Sequence, residues 1–166
     1  RNLGGDVVGF AGRALDDSSP KYINSPQTVL FDKGKLLYGL DLAKDALASE
    51  GIAVIVEGYM DVIAAHKYGY RNVIASMGTA LTESQVSLVK GRAKTIVLAL
   101  DPDNAGQEAT LRSLEDSWKV FARIGIGHKG ATTLFQAPSV LDTLRIAVLP
   151  EGKDPDTLIN EDPMAW

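Results

Sequence analysis

From Gly51 onward short, mainly apolar runs alternate with segments of helical apolar spacing. The runs are IAVIV (52–56), NVIAS (72–76), TIVLAL (95–100) and LRIAVL (144–149). The first is continuously apolar, as expected for a strand covered on both faces. Helical spacing at 60–68, 83–90 and 105–122 fills the intervals, and Pro155 opens a short helix at 155–158. Gly69 is placed to end the first of these, and Thr82 to cap the start of the second. Strands alternating in this way with helices leave one economical solution, an α/β fold built on an open, mainly parallel sheet with helices on both faces.

The first 50 residues follow a different grammar. RNLGGDVVGFAGRAL predicts two short strands around a Gly4-Gly5 hairpin turn. A polar loop, DDSSPKYINSPQT, comes next, and then a helix over 36–47 that Gly51 terminates. This pattern suits part of a small α+β subdomain at 1–50 preceding the main domain at 51–166. Residues 124–142, IGIGHKGATTLFQAPSVLD, lack a clear period and are expected to form a surface excursion. The chain enters its first pattern at Arg1, which suits a piece of a longer protein.

In an open α/β sheet, ligands bind at the carboxyl ends of the strands, and this chain puts acids there. The first run leads into Glu57-Gly-Tyr-Met-Asp61, the third into Asp101-Pro-Asp103, and the fourth is followed by Asp154-Pro-Asp156. Carboxylates gathered at one edge repel one another unless a cation neutralises them. Oxygen-only donors suit Mg²⁺ or Mn²⁺, and a pair of such ions about 3.5–4 Å apart would clamp a triphosphate. Each proline holds the preceding Asp in extended geometry, so that Asp101 and Asp154 continue their strands outward. Taken singly, an Asp-Pro-Asp is as well explained by a loop or a helix cap; three acidic strand ends together favour the metal.

Composition removes several other classes. With no cysteine among 166 residues there is no disulfide and no thiolate zinc site, so no zinc is expected in this chain, and the two histidines are too isolated for a metal centre. No apolar run approaches the roughly 18 residues of a membrane span. The net charge of −4 does not suggest a nucleic-acid coat, although it says little about a local groove. Charge is uneven, with five acids against one base in 151–166 and five bases against three acids in 51–100; solvated surface accounts for that most simply.

VEGYMDVIAAHKYGYRNVIASMGTALT, VLALDPDNAGQEA and LPEGKDPDTLI, in this order, resemble the acidic segments of the Toprim domain of bacterial DnaG-type primases. GDVVGFAGRAL and SPKYINSPQTVLFDKGKLLYGL resemble the small amino-terminal subdomain of the same enzymes' catalytic core. The resemblance implies a Toprim-type fold and synthesis of short RNA primers on single-stranded DNA from ribonucleoside triphosphates, with Mg²⁺ or Mn²⁺. By matching positions, Asp101, Asp103, Asp154, Asp156 and Glu57 become the metal-binding set, with Glu57, Asp101 and Asp103 catalytic and Asp61 behind them. Glu57 is either a ligand or the group that takes the proton from the attacking 3′-hydroxyl. Arg13, Lys21, Asn24 and Lys33 become a nucleic-acid groove, and Tyr22 is placed to stack on a base or sugar. The turn at Gly78-Thr79 is a candidate for phosphate binding, an ordinary turn being the equal alternative.

The same resemblance implies a cytoplasmic enzyme of the bacterial replication fork, reaching the replicative helicase only through a region this chain does not contain. Pro102 stands where these primases commonly have glycine, and the family's zinc module is absent here, so the chain alone is expected to prime poorly or not at all. Three rival readings compete with this one. They are a haloacid-dehalogenase-like phosphatase with Asp101 as nucleophile, another Toprim enzyme (topoisomerase or nuclease), and a non-catalytic Toprim module that binds DNA.

Overall fold

A computed structural model describes residues 1–16, 19–78, 81–100, 143–150 and 152–166. The expected helix at 105–122, the excursion at 124–142, and Asp101, Asp103 and Thr79 lie outside the described residues. In chain order the elements are β1 (Ala11–Arg13), β2 (Tyr22–Asn24), α1 (Leu40–Glu50), β3 (Ile52–Val56), α2 (Tyr59–Lys67), β4 (Val73–Ala75), α3 (Glu83–Val89), β5 (Thr95–Leu98), β6 (Thr143–Ile146) and α4 (Pro155–Glu161). Short 3₁₀ turns occupy Lys33–Lys35 and Pro163–Ala165.

The main sheet has the order β4-β3-β5-β6, and every pairing is parallel. Register is fixed by Val54 opposite Val73, Ile55 opposite Leu98 and Leu98 opposite Ile146. Period-2 alternation divides the side chains between two cores. Ile55, Ile74, Ile96 and Leu98 face one side with Leu40 and Leu47 of α1 and Val86 and Val89 of α3. Val56, Val73 and Ala75 face the other with Val62 and Ala65 of α2 and Ile159 of α4. The continuous apolarity of IAVIV, in the interior of the sheet, is the consequence of this double cover. A parallel sheet also puts all four carboxyl ends on one edge.

The capping chemistry follows the sequence. Gly51 takes the left-handed conformation (φ 70°) and its N–H closes α1 on the Leu47 carbonyl at 3.0 Å. Thr82 Oγ1 accepts from the Gln85 N–H at 3.1 Å while Gln85 Oε1 accepts from the Thr82 N–H at 3.0 Å, a reciprocal capping box. Asp154 is extended (φ −81°, ψ 167°), as a residue before proline should be, and caps α4 through the Thr157 N–H at 2.7 Å.

Two expectations fail upstream. Gly4-Gly5 closes a turn, with the Gly5 N–H on the Asn2 carbonyl at 3.0 Å, but no hairpin runs through it. The antiparallel pair is instead β1 with β2, Gly12 opposite Ile23, so the second strand lies inside the segment read as a polar loop. Helix α1 begins at Leu40 rather than at 36, because Gly39 is left-handed (φ 79°) and a Cβ there would come within 2.9 Å of Val62 Cγ1. The residues before it serve the sheet: Tyr38 bridges antiparallel to Ala75, with bonds of 2.9 and 3.1 Å, on the outer side of β4.

One buried amide joins the small subdomain to the main domain. Gln85 is 0% exposed, and its Nε2 donates to the carbonyls of Lys33 and Leu36, each at 2.9 Å. Thr82 Oγ1 donates to the Gly34 carbonyl at 2.5 Å, so the start of α3 holds the whole 33–36 turn. Gln85→Leu takes the donor from the Leu36 carbonyl and the acceptor from the Thr82 N–H, at about 1–3 kcal/mol for each group left unsatisfied, while the Lys33 carbonyl keeps the Leu36 N–H. A loss of roughly 2–4 kcal/mol is expected on that basis. Urea denaturation measures it, and a loss below about 1 kcal/mol would show that the amide does not hold the turn.

Candidate active site

The carboxyl edge of the sheet and the small subdomain enclose a cleft of about 390 Å³. Arg13, Lys21, Tyr22, Asn24 and Lys33 line it from the subdomain. Glu57, Asp61, Gly78, Asp154 and Asp156 line it from the strand ends and α4. Every described residue singled out from the sequence therefore meets in one place. Among the described residues no three carboxylates or imidazoles form a group that would hold an ion by themselves.

Each acid has a different local job. Glu57 is the first residue beyond β3, and its carbonyl accepts the Gly78 N–H at 3.1 Å, tying the end of β3 to that of β4. The Gly78 amide, a candidate for binding phosphate, is thus engaged within the protein. Asp61 is only 6% exposed. Its Oδ2 accepts the Gly58 N–H at 2.9 Å and its Oδ1 accepts the Asp156 N–H at 3.1 Å. Gly58 lies so close that a Cβ there would be 3.1 Å from Asp61 Oδ2, which explains glycine after Glu57. Asp154 is exposed, and the Asp156 carboxylate accepts from Asn160 Nδ2 at 2.6 Å.

The basic side is ordered by aromatic contacts. The Arg13 guanidinium lies 5.6 Å from the Tyr22 ring centroid, within cation–π range. The Tyr22 ring meets the Tyr59 ring edge-on at 5.9 Å, and Tyr59 meets Tyr38 in the same way at 5.3 Å. The Tyr59 hydroxyl donates to Asn24 Oδ1. Burial, more than any other cause, raises the Tyr59 phenol above the usual tyrosine range. Tyr38 is raised first by burial and then by the Asp41 charge.

Tyr59, Tyr38 and Gln85 were not among the residues singled out from the sequence. Tyr59 stands within the quoted Glu-Gly-Tyr-Met-Asp run, where the acids drew the attention. The Thr-x-x-Gln spacing of 82–85 was a legible cap signal, but nothing local tells that the same amide reaches 33–36. Met77 is another omission: it is buried, lines the cleft, and has a left-handed backbone (φ 64°) that non-glycine residues seldom adopt.

Comparison with known proteins bears on this arrangement. Residues 51–126 match the Toprim domain family, and residues 1–44 match the family described as DNA primase catalytic core, N-terminal domain. The DNA primase of Clostridium acetobutylicum is 43% identical over 157 residues, covering 95% of this chain and 23% of that protein. The DNA primase of Deinococcus radiodurans is 44% identical over 160 residues, covering 95% of this chain and 24% of that protein. A solved DnaG primase catalytic domain bound to single-stranded DNA aligns with a TM-score of 0.77 and 36% identity, covering 98% of this chain and 46% of that one. The chain thus spans about a quarter of the length of its curated relatives. Toprim domains in general bind divalent metal ions.

The double acceptance by Asp61 yields a prediction that needs no activity. Asp61→Asn keeps the shape but turns an N–H₂ toward one of the two backbone donors, leaving that donor unsatisfied at about 1–3 kcal/mol. Chemical denaturation should register a loss of that size, larger than that of Asp154→Asn, since asparagine caps a helix about as well as aspartate. Equal midpoints for Asp61→Asn and the parent would exclude the bridge.

Proposed function

The chain belongs to the bacterial DnaG-type DNA primase family, and on that premise we propose that it forms part of the catalytic core of an enzyme that makes short RNA primers. The template is single-stranded DNA, the substrates are ribonucleoside triphosphates, and the reaction is nucleotidyl transfer from a triphosphate to a 3′-hydroxyl. One observation carries the reading: basic and aromatic residues suited to a nucleic-acid strand share a single cleft with the acids of the strand ends. A bacterial cytoplasmic setting follows from that role; among the described residues no helix is long and apolar enough to cross a membrane.

The donors at the strand ends are all carboxylate oxygens, the chemistry that Mg²⁺ or Mn²⁺ accepts. Asp154, Asp156 and Glu57, with Asp101 and Asp103, are the residues that would hold such ions. Divalent metal, when bound, supplies neutralisation of the triphosphate's charge and of the charge developing in transfer. Glu57 follows β3 directly and is placed either to take the proton of the 3′-hydroxyl or to share in holding the ion. Asp61 has both oxygens on backbone amides and therefore supports Glu57 and Asp156 rather than acting itself. Arg13, Lys21 and Lys33 would pair with backbone phosphates, and Tyr22, partly exposed in the cleft, would stack on a base.

The match of residues 1–44 to the primase core disfavours the rival readings. A haloacid-dehalogenase-like phosphatase, a topoisomerase or nuclease, and a non-catalytic binding module all leave that segment without a role. In the full-length protein, Glu57→Gln is expected to slow primer synthesis about 10²–10⁴-fold, the range for loss of a positioned acid–base group. It should leave single-stranded DNA affinity within about threefold, since no phosphate contact is removed. Lys21→Ala should do the reverse, weakening DNA binding and lowering the salt slope by about one ion. Priming that persists undiminished in Glu57→Gln, or without any divalent ion, would sink the proposal.

A further inference from the structure

We infer that Tyr59 is a positioning residue for the template strand, acting through Asn24: its hydroxyl fixes the Asn24 side-chain amide so that Nδ2 is presented as a hydrogen-bond donor to an oxygen of the nucleic acid. The inference rests on the primase reading and assigns a role that neither the metal chemistry nor the basic groove supplies.

An asparagine side chain can present either its oxygen or its N–H₂ to a ligand. Which end faces outward is set by whatever holds the other. Here the Tyr59 hydroxyl donates to Oδ1, and among the described residues Nδ2 has no protein partner. The phenol is itself well held. Its ring lies edge-on between Tyr22 and Tyr38, at 5.9 and 5.3 Å. Tyr38 is fixed to β4 through both of its backbone bonds to Ala75. The backbone of Tyr59 is the first residue of α2, one residue beyond Gly58 and two beyond Glu57.

Asn24 closes β2 in the small subdomain, opposite Ala11. It lines the same cleft as Lys21 and Lys33, whose charges draw an anionic strand there. Nucleic acid offers acceptor oxygens on its phosphates and on its base carbonyls, and an N–H₂ serves both. A freely turning amide would expose its oxygen part of the time and repel those acceptors. Tyr59 thus couples the start of α2, two residues after Glu57, to the register of the strand in the groove.

The test is a double-mutant cycle in the full-length protein, read by the anisotropy of a labelled single-stranded DNA over a salt series. Tyr59→Phe keeps the ring and removes only the hydroxyl. It should weaken binding roughly three- to tenfold, the scale of one hydrogen bond, with the salt slope unchanged because no charge is lost. Asn24→Ala should weaken binding at least as much. The double variant should bind no more weakly than Asn24→Ala alone, since Tyr59 acts only through that amide. Parental affinity in Tyr59→Phe overturns the inference, as does a weakening of equal size in the Asn24→Ala background, which would mark a general packing role. In either case primer synthesis by the parent would leave the primase reading standing. A parent that neither binds single-stranded DNA nor primes would overturn both.

Discussion

The Asp61 carboxylate is the interaction on which the site's geometry turns. It is buried at the start of α2, and a buried charge is costly unless its oxygens are satisfied. Here one oxygen takes the N–H of Gly58, next to Glu57, and the other takes the N–H of Asp156, almost a hundred residues away. A single side chain thereby fixes the spacing between the acid after β3 and the acids at the start of α4. Because both bonds go to backbone, the spacing does not depend on the rotamers of Glu57 or Asp156.

The parallel sheet makes this economy available. Once β3, β4, β5 and β6 run the same way, everything that follows a strand emerges at the same edge. The acids then repel one another, and the fold relieves part of that repulsion locally. Asp154 and Asp156 sit at the amino-terminal turn of α4, where backbone N–H groups and the helix dipole favour negative charge. Asp61 has the same advantage at the start of α2. Helix starts are thus used twice, first to end the strand connections and then to make negative charge at this edge tolerable.

Most of the main domain was legible because its signals are local. Four mainly apolar runs, a glycine after α1, a threonine cap at 82 and a proline at α4 each fix a backbone state within a few residues. The acids at 57, 154 and 156 could be placed from strand direction alone, since a strand that is known to be parallel points its end at a known edge. The small subdomain was harder to read. Gly4-Gly5 has the composition of a hairpin turn, yet the second strand lies beyond Pro20, in a run whose exposed Ile23 gives no buried-face pattern. A three-residue strand in a two-stranded ribbon has too little periodicity to be told from a loop. Gln85 and Tyr59 were missed for a different reason. Their partners lie 49–52 and 35 residues away, and no local pattern encodes such a meeting.

Gln85 and Tyr59 belong to one design problem. A groove for a nucleic-acid strand must be held at a set distance from an acidic centre, and salt bridges between them would quench the charges that both sides need. Among the described residues, neutral groups join the two halves. Gln85 reaches the carbonyls of the 33–36 turn, leaving the Lys33 ammonium uninvolved in the join. On the other side, the edge-on rings of Tyr22, Tyr59 and Tyr38 cross from β2 to the edge of β4, with one phenol bonded to the Asn24 amide. Neutral hydrogen bonds and ring contacts are barely screened by salt, whereas phosphate binding falls steeply with it. The separation of the two charged surfaces is therefore set by interactions that do not weaken when the surfaces themselves do.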